Sequence, residues 1–181
     1  MKELSLNVLD IAQNAVKAGA RHIDITVERT GGQLAVTIAD DGCGMTKEFL
    51  AAVTDPFTTT RTTRKVGMGI PLFKLAAEQT GGTFSIASVA DDGRGNAHGT
   101  TVRAVIDTAH VDCAPMGDMA STMVALIQGS PDIAWTYRSV TDGEELTLST
   151  EQMREMLGPE VPLDAPEVLG WVRDFLTQQA E

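Results

Sequence analysis

A run of alternating residues that ends in Asp40-Asp41-Gly42-Cys43-Gly44 constrains this chain more than any bulk property. From Arg21 to Glu28, Ile23, Ile25 and Val27 share one face, the period of a half-buried strand. Thr30-Gly31-Gly32 then reads as a hairpin turn into a second strand, Leu34 to Ala39. Two paired strands therefore deliver Asp40 to a sheet end. Glycines there let backbone approach a ligand closely, and a carboxylate can accept a hydrogen bond from it. Further on, Gly67-Met68-Gly69-Ile70 opens an apolar helix whose free N–H groups and dipole favour phosphate. Together with Asn14 on an upstream helix, these pieces can build one nucleotide pocket.

The upstream helix is expected over about Lys2 to Lys17, with Gly19 in the usual position beyond a helix end. Leu4, Val8, Ile11, Ala15 and Ala18 form one apolar stripe, and Glu3, Asn7, Asp10 and Asn14 form a second at the same spacing. Asparagine and aspartate are mediocre helix formers, and a plain solvated face favours Glu, Lys or Gln, so the second stripe reads as facing a ligand. Thr46 is expected to cap a short helix with Glu48 in its first turn. The stretch Thr54 to Val66 has no hydrophobic period; Asp55-Pro56-Phe57 precedes five threonines, two arginines and a lysine, which predicts a loop. Ile70 to Gln79 predicts a helix ending at Gly81-Gly82, and Thr83 to Val89 with Thr100 to Ile106 predict two strands around a Gly/Asp-rich turn. This order implies an α+β protein, with helices layered on one face of a mixed or antiparallel sheet.

Charge divides the chain near His110. Residues 1–109 hold 12 acids and 11 bases, whereas residues 110–181 hold 13 acids and only Arg138, Arg154 and Arg173, so the second segment supplies nearly all of the net charge of −11. Such a surface repels phosphate backbones and disfavours a nucleic-acid partner. No apolar span reaches membrane length, and the amphipathic N-terminus lacks the apolar core of a signal peptide, which predicts a cytoplasmic protein without a membrane partner. Cys43 and Cys113 make neither a disulfide framework nor a zinc pattern.

The break sets an expected domain division: 1–109 for the nucleotide, 110–181 as an acidic accessory unit. In the latter, Met116 to Ile127 predicts a helix, and Ile133 to Val140 pairs with Glu144 to Leu148 through Thr141-Asp142-Gly143. Ser149 or Thr150 caps a helix to Leu157, and Asp164 caps a last helix that carries Leu169, Val172, Phe175 and Leu176 on one face beside Trp171. These 72 residues read as a compact α+β unit for packing, oligomerisation or binding of a partner, with no catalytic constellation.

Asp10-Ile-Ala-Gln-Asn14, Ala18-Gly19-Ala20, Asp40 to Met45, Pro56-Phe57-Thr58-Thr59, Gly67-Met68-Gly69-Ile70 and Gly99-Thr100 resemble the successive boxes of the gyrase, Hsp90, histidine-kinase and MutL ATPase superfamily. The resemblance spans roughly residues 3–107 and implies a two-layer α/β sandwich of the Bergerat type that binds ATP with Mg²⁺. It selects Asn14 over Asn7 as the metal-binding asparagine, because Ala18-Gly19-Ala20 fixes the register. It implies that Asp40 accepts from the adenine amine, that Gly42, Gly44 and Met45 shape the turn under the base, and that Thr100 supports Asp40. It further implies that Gly67, Gly69 and Ile70 open the phosphate-facing helix, and that Arg61, Arg64 and Lys65 sit in a lid over the triphosphate.

Two departures stand out. Asp10 occupies the position where the resemblance implies a glutamate acting as catalytic base; it is one methylene shorter, and about an ångström of lost reach can cost on the order of a hundredfold in rate. Pro71 lies in the first turn of the phosphate-facing helix, where proline is tolerated. His22, His98 and His110 are the histidines, and none lies on a long predicted helix, so phosphorylation of the chain by itself is not expected. The expectation is a Mg-dependent ATP-binding protein, a slow ATPase or nucleotide-controlled switch with a separate protein partner and a possible homodimer. A kinase acting on another protein and a nucleotide-sensing adaptor without turnover are the alternatives.

Overall fold

The computed structural model describes residues 3–54 and 69–179. Helix α1 (Leu4–Lys17) leads through Gly19, at φ 79°, into the hairpin β1 (His22–Thr30) and β2 (Gln33–Asp40). Then come α2 (Lys47–Val53), α3 (Gly69–Glu78), and the pair β3 (Thr83–Val89) and β4 (Gly99–Asp107). The remainder forms α4 (Met119–Gly129), the hairpin β5 (Ala134–Thr141) and β6 (Glu144–Ser149), α5 (Thr150–Leu157) and α6 (Pro166–Gln179).

All six strands lie in one mixed sheet, in the order β3-β4-β2-β1-β5-β6. Its pairs are antiparallel except β1 with β5, which run parallel. The α+β fold expected from the sequence is therefore present, and the last hairpin extends the first sheet. The cause is register: β1 sets Ile23 beside Trp135 and Ile25 beside Tyr137, so apolar side chains on both strands fall on the same face. Trp135 is 1% exposed, and one apolar cluster runs from Leu4 of α1 through Ile25, Phe73 and Met123 to Val172 of α6. The change in charge at His110 thus coincides with no break in the sheet or the core.

Local chemistry sets most boundaries. The Thr46 hydroxyl accepts the Phe49 N–H at 3.2 Å, Asp118 caps α4 through the Ser121 N–H at 2.9 Å, and the Ser149 hydroxyl accepts the Gln152 N–H at 3.4 Å. Each satisfies a donor that a helix start leaves free. Thr150 turns inward instead, and its hydroxyl accepts the Trp135 N–H at 2.8 Å. Asp164 lies two residues before α6, which opens directly on Pro166, a residue suited to a first helical position. Val168, Leu169, Val172 and Leu176 bury one face of α6, and Trp171 stacks on Phe175 at its edge with ring centroids 5.0 Å apart. Among the described residues, no helix is long and apolar enough to cross a membrane.

Candidate functional site

α1, the β2 end, the turn after it, α2, the start of α3 and β4 enclose a pocket of about 460 Å³. Asn14, Asp40, Gly44, Met45, Ile70 and Thr100 all line it, so residues spread over nearly ninety positions of sequence meet at one place. Ile11, Ala15, Phe49 and Val102 supply apolar walls, a suitable surround for a flat ring.

Asp40 sits where it does because it ends β2, opposite Thr100 in the β4 register. Burial pushes its carboxyl above the ordinary value; the N–H groups of Gly42 and Thr100 pull the other way, and the neighbouring Asp41 charge adds to the rise. The Gly42 N–H donates to Asp40 Oδ1 at 2.8 Å. A side chain at Gly42 would meet the Ala18 Cβ at 2.9 Å, so the turn can lie on the α1 end only without one. Gly44 combines φ 70° with a Cβ position 1.9 Å from the Val89 carbonyl oxygen, which excludes every other residue. Ala18 further holds the turn by accepting the Cys43 N–H at 2.9 Å.

Several supports of this turn lay beyond the reach of sequence reasoning. The Ser88 hydroxyl accepts the Met45 N–H at 2.8 Å and lies 2.8 Å from the Thr100 hydroxyl, which ties the turn to β4. The Asp91 N–H donates to the Cys43 carbonyl at 2.7 Å, and the His98 ring donates from Nδ1 to the Gly42 carbonyl. The β3–β4 connection, readable in sequence only as a Gly/Asp-rich turn, therefore clamps the glycine segment. Cys43 and Lys17 also line the pocket. Lys17 brings a cation from the last turn of α1, and its place one helical turn beyond Asn14 was the signal that could have found it.

Asn14 carries the clearest mark of an absent partner. Its amide nitrogen is buried, and among the described residues it is the buried side-chain polar atom without a hydrogen bond. An orphaned amide on a pocket wall costs stability in the free protein unless a ligand satisfies it. The orphaned nitrogen is a donor, so it suits an acceptor oxygen of a ligand, while the oxygen of the same amide is the atom that would hold a hard cation; no group of three or more His, Cys, Asp or Glu among the described residues could hold a metal by itself.

Asp10 lies one helical turn before Asn14, exposed and outside the pocket lining. It abuts the start of α3, where a Cβ on Gly69 would come 2.9 Å from the Asp10 Cβ, so Gly69 serves a close helix approach. Arg61, Arg64, Lys65 and Gly67, along with the Pro56 to Thr59 run, lie outside the described residues.

Comparison with known proteins agrees with this geometry. Residues 2–110 match the family model described as "Histidine kinase-, DNA gyrase B-, and HSP90-like ATPase". The sensor histidine kinase ZraS of Escherichia coli K12 is 30% identical over 91 residues, which are 49% of this chain and 19% of that protein. The mismatch repair protein MutL of Rickettsia felis is 37% identical over 71 residues, 39% of this chain and 12% of that protein. This chain thus spans a fifth or less of these relatives. The MutL ATPase domain of Aquifex aeolicus, solved with ADP, superposes with a TM-score of 0.50 at 14% identity, over 86% of this chain and 68% of that one, a likeness of fold.

Proposed function

The chain belongs to the histidine kinase-, DNA gyrase B- and HSP90-like ATPase family, and we propose that it binds ATP in the pocket between α1 and the Asp40 turn. Asp40 accepts from the exocyclic amine of adenine, and the apolar walls at Ile11, Ala15, Met45 and Ile70 cover the ring faces. Guanine presents an acceptor where adenine presents that donor, so a partly buried carboxylate rejects it. Asn14 would hold Mg²⁺ through its amide oxygen while its Nδ2–H donates to a ligand oxygen, and Lys17 with Gly69 faces the phosphate side; Arg61, Lys65 and Gly67 are assigned to the same side from sequence. A bound Mg²⁺ would supply positive charge to offset the phosphates.

The observation that carries this reading is the orphaned Asn14 amide in the same pocket as Asp40. Asp10 is exposed and short, which supports slow turnover and a protein whose output is the state of the bound nucleotide, passed to a protein partner. The name of the ZraS relative, a sensor histidine kinase, favours a second reading in which the γ-phosphate passes to a separate protein.

Calorimetry with ATP, ADP and GTP, with and without Mg²⁺, tests the first reading, followed by phosphate release from the same sample. Adenine-selective binding strengthened by Mg²⁺ is expected, and unchanged affinity in both Asp40→Asn and Asn14→Ala would sink it. Label transfer from γ-labelled ATP to a host protein, lost in Asp10→Ala, would select the second.

A further inference from the structure

His22 begins β1, five residues beyond Lys17 of the pocket, and touches the turn after Asp40, 19 positions further on. Asp41 Oδ1 accepts the backbone N–H groups of Arg21 at 2.7 Å and His22 at 3.0 Å, while Asp41 Oδ2 lies 3.0 Å from His22 Nδ1. On its other side, His22 Nε2 lies 3.2 Å from Oε1 of Glu151, in the first turn of α5. An ionised carboxylate accepts and does not donate, so both contacts are satisfied together only by a ring protonated on both nitrogens. The same helix turn is fixed from inside by the Thr150 hydroxyl on Trp135. One ring thus joins the acidic C-terminal segment to the residue that follows Asp40.

We propose that His22, as imidazolium, is a positioning residue that clasps the Asp40–Gly44 turn to α5, so that nucleotide affinity depends on where α5 sits and on whether the clasp is closed. This inference rests on the reading of the pocket as a nucleotide site and names how that site is regulated. Displacement of α5 by a partner removes the Glu151 contact, and loss of the ring proton removes one of the two ring contacts; Asp41 keeps the backbone N–H groups of Arg21 and His22, so the turn that aims Asp40 and the Gly42 N–H is loosened and not freed.

The electrostatics agree. The hydrogen bond with Asp41 raises the His22 pKa, burial opposes it, and the Asp41 charge with the hydrogen bond and charge of Glu151 add to the rise. Burial pushes the Asp41 carboxyl up, and the bonds from His22 and Arg21 outweigh it and leave it below its ordinary value. Other charged groups nearby in the fold do not complete the cluster. On β5 the residue beside His22 is Ala134, the Arg154 guanidinium of α5 lies on the Pro131 carbonyl, and Asp24 and Asp132 make no hydrogen bond to the ring.

Amide NMR and ADP calorimetry in the presence of Mg²⁺, from pH 5.5 to 8.5, test the clasp in the full chain and in His22→Ala, His22→Gln, Glu151→Ala and the double variant His22→Ala/Glu151→Ala. In the unaltered protein the Gly42, Cys43 and Gly44 amide signals should follow the His22 titration. Its midpoint should fall in Glu151→Ala, and the response should vanish in both His22 variants. At pH 6 His22→Ala should weaken ADP about threefold to fivefold relative to the unaltered protein, a ratio that shrinks toward one at pH 8.5, with the double variant no worse than His22→Ala alone. Turn amides indifferent to the His22 titration overturn the clasp, as does an affinity ratio that stays constant with pH. If ADP does not bind at all, the nucleotide reading falls, and the amide titration still decides whether His22 clasps the turn.

Discussion

The Asn14 wall of the pocket and the Trp135 knot under α5 are built from similar parts, yet they treat polar groups in opposite ways. In the knot every polar group is spent internally: the Trp135 backbone N–H on Thr150, its indole N–H on the Ser130 carbonyl at 3.0 Å, and the Thr150 hydroxyl against the Ile133 and Trp135 carbonyls. In the pocket Asn14 keeps a buried donor without a partner, and Asp40 keeps a carboxylate whose burial raises its pKa. A fold optimised only for stability would close such groups off. The contrast marks where packing ends and where a ligand is meant to complete the structure.

The largest effect that would sharpen this contrast is Asp40→Asn. It should lower adenine nucleotide affinity about a hundredfold or more, measured by calorimetry, with the thermal midpoint of the free protein little changed. Next, Trp135→Ala should cost about 3–5 kcal/mol in chemical denaturation, since it empties a fully buried site on β5 beside Ile23 of β1. Thr150→Val should cost about 1–3 kcal/mol by the same measurement, because it strands the buried Trp135 N–H. Asn14→Ala should do the reverse in the free protein, leaving stability unchanged or higher by up to about 1 kcal/mol while Mg²⁺ ceases to strengthen nucleotide binding. Equal losses in Thr150→Val and Asn14→Ala would erase the distinction between the two regions.

The smallest effect concerns pH. The His22 pKa is raised by folding, so its contribution to stability is fully present below the ordinary histidine value near 6.5 and is lost as pH rises through the higher folded value. Asp41 is lowered, so its contribution is present above the ordinary carboxylate value and lost on acidification through the folded one. The pair is therefore tightest in mildly acid solution. Both side chains are roughly half exposed, at 59% and 43%, so solvent screening limits the effect to below about 1 kcal/mol. Melting curves of His22→Gln and the unaltered protein should separate below pH 6.5 and converge as pH rises through the folded His22 value.

Much of this architecture was legible in local chemistry. The alternation at Ile23, Ile25 and Val27, the glycines at 31 and 32, and the caps at Thr46 and Ser149 act within a few residues, so each could be read before any fold was known. The pocket lining was legible chiefly through the resemblance: Asn14, Asp40, Gly44, Met45, Ile70 and Thr100 fall in its boxes, and of these Asn14, Asp40 and Gly44 also stand out by chemistry for their positions. What stayed hidden were plain residues made important by contact. Ser88 is an ordinary strand serine until Met45 donates to it, and His98 an ordinary loop histidine until its ring reaches Gly42.

By itself, then, the sequence determined the elements and the acidic character of residues 110–181, because periodicity, capping and charge are written in neighbouring residues, and it determined the family of the first 109 through the boxes that resemble it. Only the tertiary structure decided that β5 joins β1 in parallel, and that Glu151 therefore stands beside His22, 129 positions away in the chain. Strand order depends on which apolar faces bury each other, and β1 had one free edge that a composition break near His110 could not reveal.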